Sequence, residues 1–117
     1  MISRLLLLST LALAAFAADV SGTWKAEVET PMGTGSPTFV LKQNGESLTG
    51  TYSGALGEAP LKGTVKGNAI EFQFKINPQG EDMVIIYKGT IESTTTMKGT
   101  AKFADLGEGT WKAQKEK

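Results

Sequence analysis

The chain of 117 residues contains no cysteine and no histidine. The first absence excludes disulfides, thiol nucleophiles and thiolate metal sites. The second excludes a histidine-based triad, an imidazole general base and the usual zinc and copper ligand sets. Catalysis would have to run on carboxylates, lysine, tyrosine or a hydroxyl. No such constellation is visible, so the sequence reads as a non-enzyme without a cofactor. An excess of positive charge is also missing, with 12 Lys+Arg against 12 Asp+Glu. Nothing neutralises a phosphate backbone, and nucleic acid is not an expected partner. Beyond residue 18 no apolar run approaches the roughly 20 residues that a membrane-spanning helix needs.

The one long apolar stretch lies at the N-terminus. Met1-Ile2-Ser3-Arg4 is a short basic segment, Leu5 to Ala18 an apolar one, and Ala15-Phe16-Ala17 a small-residue site. This is the pattern of a secretory signal peptide cleaved after Ala17. The division expected is a signal peptide over 1–17 and one domain over 18–117, located in the periplasm or outside the cell. Without Arg4, 11 Lys face 12 Asp+Glu, a net charge of −1. An exported domain of this size without disulfides must rely on a well-closed core.

What the remainder does have is alternation. In Ile70-Glu71-Phe72-Gln73-Phe74-Lys75-Ile76 the large apolar residues point one way and the polar ones the other. That is the period of a strand with one buried face. Turn signals punctuate the chain at Asn44-Gly45, Gly67-Asn68 and Asn77-Pro78-Gln79-Gly80. The pattern predicts eight strands, at 21–30, 37–43, 47–54, 60–66, 69–76, 83–92, 96–103 and 109–115. All connections are short, so successive strands pair antiparallel and no crossover helix fits. The fold class expected is all-β, an eight-stranded antiparallel up-and-down (meander) barrel of calycin-like type. A two-sheet β-sandwich is the alternative.

Gly-Thr followed by an apolar or aromatic residue occurs six times, beginning at Gly22, Gly50, Gly63, Gly89, Gly99 and Gly109. Each Gly shares the inward face. It lets the strand bend and lets a neighbouring ring lie over bare backbone, which barrel closure demands. A ligand-binding repeat is the competing interpretation.

Alternation also yields an interior, running from Trp24, Ala26 and Val28 to Trp111 and Ala113, that carries no charge. An eight-stranded barrel is just wide enough to be filled by side chains or to hold one small ligand. The residues expected to line a site for a small apolar or aromatic molecule are Phe39, Tyr52, Phe74, Met83, Tyr87, Phe103 and Trp111. The meander gathers the longer Gly/Pro connections (31–36, 55–59, 77–82 and 104–108) at one end, the expected mouth. That end carries Glu58, Glu81, Asp82, Asp105 and Glu108 and exposes Met32, Leu56 and Leu106. The carboxylates read as a solvated rim, with calcium binding or acid–base chemistry as weaker options. Outward Lys residues, Lys25 to Lys112, keep strands soluble. Val84 and Ile86 break that pattern and suggest a covered strand, hence a monomer or a weak homodimer.

Two resemblances follow from these residues. Gly22-Thr23-Trp24, Phe39 and Ser47-Leu48-Thr49-Gly50-Thr51-Tyr52 resemble the opening of the avidin and streptavidin family. That family is an eight-stranded biotin-binding barrel, and Tyr52 falls on one of its ligand-contacting positions. Ala26, Thr30 and Gly54 depart from its polar ligand contacts, and its later stacking tryptophans have no counterpart. These departures argue against biotin. The G-T-W start, the N-G-x-x-L-T-G-T turn and the terminal G-x-G-T-W resemble a group of exported bacterial β domains described as lipocalin-like. That resemblance implies the fold and the compartment, with no activity attached. A packed envelope module that binds a secreted or envelope protein by its surface is the alternative role.

Overall fold

Val, Ile, Phe and Tyr at every second position make a chain that buries one face only when extended. The computed structural model describes residues 19–31, 33–77, 80–104 and 106–116, and these form strands and turns with no helix. The predicted signal segment therefore lies outside the described residues. The strands are β1 (Gly22–Thr30), β2 (Gly33–Gly35), β3 (Thr38–Asn44), β4 (Ser47–Gly54), β5 (Gly57–Lys66), β6 (Ala69–Ile76), β7 (Met83–Ile91), β8 (Thr96–Phe103) and β9 (Glu108–Lys115).

β1 and β3 to β9 pair antiparallel in meander order, and β1 pairs with β9 to close the sheet on itself. Val28 stands opposite Trp111 and Trp24 opposite Lys115 in the closing pair. Closure decides against the two-sheet sandwich. The ninth strand, β2, is the difference from the sequence expectation. The lower part of β1, from Gly22 to Lys25, pairs with β3, whereas its upper part, from Val28 to Thr30, pairs with β2. β3 begins only at Thr38, so the upper edge of β1 would stand unpaired without that short return. Exposed ladder groups recruit whatever backbone is near.

A second difference concerns 55–59, expected to be a loop. Gly54 pairs with Gly57, so the connection is a two-residue turn at Ala55-Leu56. Ala59 lies inside β5 and is buried, and Leu56 is half-buried against the core rather than exposed. Leu106 is exposed as expected. Met32 and Asp105 lie outside the described residues.

At the Gly-Thr sites neighbouring strands and rings come close to bare backbone. A Cβ on Gly63 would run into the Glu71 carbonyl and stand 2.7 Å from Phe72 Cβ. On Gly50, Gly99 and Gly109 it would strike the carbonyls of Val40, Lys88 and Glu29. At Gly89 it would lie 2.7 Å from Trp111 Cζ2, so the indole rests on bare backbone. The same indole Nε1–H donates to the carbonyls of Thr100 at 2.9 Å and Lys88 at 3.2 Å. Gly22 differs, since only the flexible Lys115 side chain approaches it.

The narrow-turn end is sealed. Val20, absent from the sequence-derived interior, is 1% exposed. Its carbonyl accepts from Trp24 Nε1 at 2.9 Å and its N–H donates to Gln43 Oε1 at 2.9 Å.

Candidate ligand cavity at the loop end

Ring packing divides the barrel. Phe39 and Phe72 are fully buried and meet edge to face at 5.0 Å. Tyr87 stacks on Phe72 with centroids 5.1 Å apart, and Trp111 lies 5.4 Å from Tyr87. Tyr52 stacks on Phe74 at 4.1 Å and 14°. Such offset and edge contacts are the preferred geometries of aromatic pairs. Below this layer Trp24, Leu48, Ile70 and Met97 fill the space.

Above it the packing stops. A cavity of about 220 Å³ opens at the loop end between Val28, Pro37, Tyr52, Leu56, Tyr87 and Phe103. Segment 33–36, which includes β2, forms one wall and Ala55 and Thr30 complete it, so among the described residues no lining residue is charged. Three of the seven residues expected at the site (Tyr52, Tyr87 and Phe103) therefore line the cavity. Phe39, Phe74 and Trp111 lie in the packed rings and outside the lining. Met83, expected inside, is half-buried at the start of β7 and packs against the core from its edge. Leu56 and the β2 wall were not foreseen as lining. The signal for Leu56 was an apolar residue in a turn, where solvent gives it no reason to be.

The hydroxyls at this site are held neutral. Burial pushes the Tyr52 phenol above its ordinary value, opposed in part by a hydrogen bond with the Leu56 backbone. Burial pushes the Tyr87 phenol up much further, and the nearby Tyr52 phenol adds to the shift. Removing water from around a phenolate disfavours it, so both groups keep their protons.

Around the rim Glu58, Glu81, Asp82 and Glu108 are exposed. Asp82 has partners in Asn77 Nδ2 at 3.1 Å and Lys75 Nζ at 3.8 Å. Among the described residues no three acidic side chains gather into a group that could hold a metal ion. This gives the calcium option no support.

The comparisons with known proteins concern the fold. No protein-family model matches the chain, and no curated protein does. Among solved structures it is similar to a redesigned beta barrel, b11L5F_LGL, with a TM-score of 0.70 and 18% identity, covering 84% of this chain and 92% of that one. It is similar to a second redesigned beta barrel, mFAP0, bound to DFHBI, with a TM-score of 0.61 and 16% identity over 82% of this chain and 98% of that one. EF1p2_mFAP2b bound to DFHBI gives the same TM-score and identity over 83% and 94%. At these identities the likeness is one of fold.

Proposed function

We propose that the protein is an exported, non-enzymatic binding protein that takes a small apolar or aromatic molecule into the loop-end cavity. The cavity itself carries the reading. A packed barrel of this size has no structural need for about 220 Å³ of uncharged, ring-lined space above its core. An apolar cavity of about 150 Å³ is enough to hold benzene, so one substituted or small fused ring fits here. Two barrels of similar fold are bound to DFHBI, which supports an eight-stranded frame as a small-molecule host. Lack of His and Cys in the sequence supports binding over catalysis. The segment 1–17 supports export, and with it a place among the lipocalin-like exported β domains that the sequence resembles.

Thermal denaturation with indole, naphthalene and acetophenone tests the reading. A ligand at a hundred times its Kd adds about 2.7 kcal/mol, a rise of more than about 10 °C for a domain of this size. Leu56→Trp, which fills the cavity, is expected to abolish the shift while leaving the far-ultraviolet circular dichroism of the barrel unchanged. No shift with any of the three compounds would discard the binding reading in favour of a module that acts by its surface.

A further inference from the structure

The interior is economical with polar atoms. Among the described residues, four buried side chains carry an N–H or O–H: Trp24, Tyr52, Tyr87 and Trp111. Trp24 donates to the Val20 carbonyl and Trp111 to those of Lys88 and Thr100. Tyr52 meets the Leu56 backbone. Tyr87 is 2% exposed. Among the described residues no fully buried side-chain oxygen or nitrogen lacks a hydrogen-bond partner, and the Tyr87 hydroxyl takes part in none of the interior hydrogen bonds, so that oxygen keeps contact with accessible space. Tyr87 belongs to the cavity lining, so the little surface it shows faces that space. Its ring is held by Phe39, Phe72 and Trp111, and phenylalanine would make the same ring contacts without placing a hydroxyl at that surface.

We infer that Tyr87 is the specificity-determining residue of the cavity: its hydroxyl donates a hydrogen bond to an acceptor atom on an uncharged aromatic ligand. The inference rests on the binding reading above and adds the chemical class. Two further observations restrict that class to neutral molecules. Among the described residues the lining offers no cation to compensate a carboxylate or phenolate, whose burial without a counter-charge is prohibitive. The described rim carboxylates, Glu58, Glu81, Asp82 and Glu108, repel an anion before it enters. The raised phenol keeps Tyr87 protonated, and so a donor, throughout the physiological range.

Three probes of nearly equal shape separate the possibilities: acetophenone, α-methylstyrene and benzoate. They differ in offering a neutral acceptor, no acceptor and an anion. In titrations followed by intrinsic fluorescence, acetophenone is expected to bind about three- to tenfold more tightly than α-methylstyrene, the discrimination of one neutral hydrogen bond. Benzoate is expected to bind more weakly than either. Tyr87→Phe is expected to bring acetophenone down to the affinity of α-methylstyrene and to leave the latter unchanged. Its melting temperature should stay close to that of the unaltered protein, because the ring contacts are kept. Equal binding of acetophenone and α-methylstyrene by the unaltered protein overturns the inference and leaves the cavity reading standing. So does a preference that survives Tyr87→Phe, or tighter binding of benzoate. Binding of none of the three overturns both readings together.

Discussion

At the scale of single residues, the two tyrosines of the cavity tie stability to alkali. An unfolded chain releases the tyrosine proton near the ordinary value of 10.0, whereas folded Tyr87 holds it well above that, chiefly through burial. Above pH 10 the unfolded state therefore binds fewer protons than the folded one, and stability falls as pH rises. Below pH 10 the contribution is fully present. The melting temperature is expected to decline from pH 10 upward, and Tyr87→Phe to flatten most of that decline. Tyr52 shifts in the same direction and accounts for a remainder. Parallel pH profiles for the two proteins would contradict this. The glycines show what could be read residue by residue. The Gly-Thr repeat pointed to curvature and close packing, and at Gly50, Gly63, Gly89, Gly99 and Gly109 the backbone or an indole does occupy the place of a side chain. The pairing of a particular indole with a particular glycine, Trp111 over Gly89, could not be read. It depends on which strands become neighbours.

At the scale of elements, alternation placed the eight barrel strands to within about three residues and missed β2. Gly33-Thr34-Gly35 has no strand propensity of its own. It pairs because the upper edge of β1 is left without a partner, a tertiary cause. The turn at Ala55-Leu56 was overlooked for a related reason: Gly57-Glu58-Ala59-Pro60 looks like a loop until Gly54 fixes its register. The segment before β1 is a further element that periodicity did not mark. Val20 is buried at the sealed end and supplies the acceptor for Trp24. Val20→Ala is expected to cost about 1–2 kcal/mol, because the cavity it leaves is only partly filled by relaxation of its surroundings. Urea denaturation checks this, with a lower midpoint and an unchanged slope. A midpoint equal to that of the unaltered protein would mean the seal contributes nothing.

At the scale of the whole molecule, the barrel has one packed end and one open end. Rings from β3, β4, β6, β7 and β9 fill its middle, and Val20, just ahead of β1, closes the bottom. The connections at the other end leave the cavity between them. Export bears on the same geometry. Cleavage after Ala17 would leave Ala18 and Asp19 ahead of the buried Val20. Protein recovered from the periplasm or the medium is expected to begin at Ala18 by N-terminal sequencing. Recovery there with Met1 still in place would refute the proposed processing.

The uncharged interior and the fold class were legible because strand periodicity is local. Each apolar position declares its face through its immediate neighbours. The loop end was identifiable as the mouth for a similar reason, since meander order follows from short connections. Whether the interior held space was not legible. Seven inward residues were expected to line a site, and the structure gives Tyr52, Tyr87 and Phe103 to the cavity while burying Phe39, Phe74 and Trp111 in a layer of packed rings. Composition fixes the volume of the side chains but not the radius of the closed barrel or the height at which each ring sits. Those follow from register, from the close approaches at glycine and from closure of β1 on β9. The pattern of residues made the barrel. Closure decided where it is full and where a cavity is left.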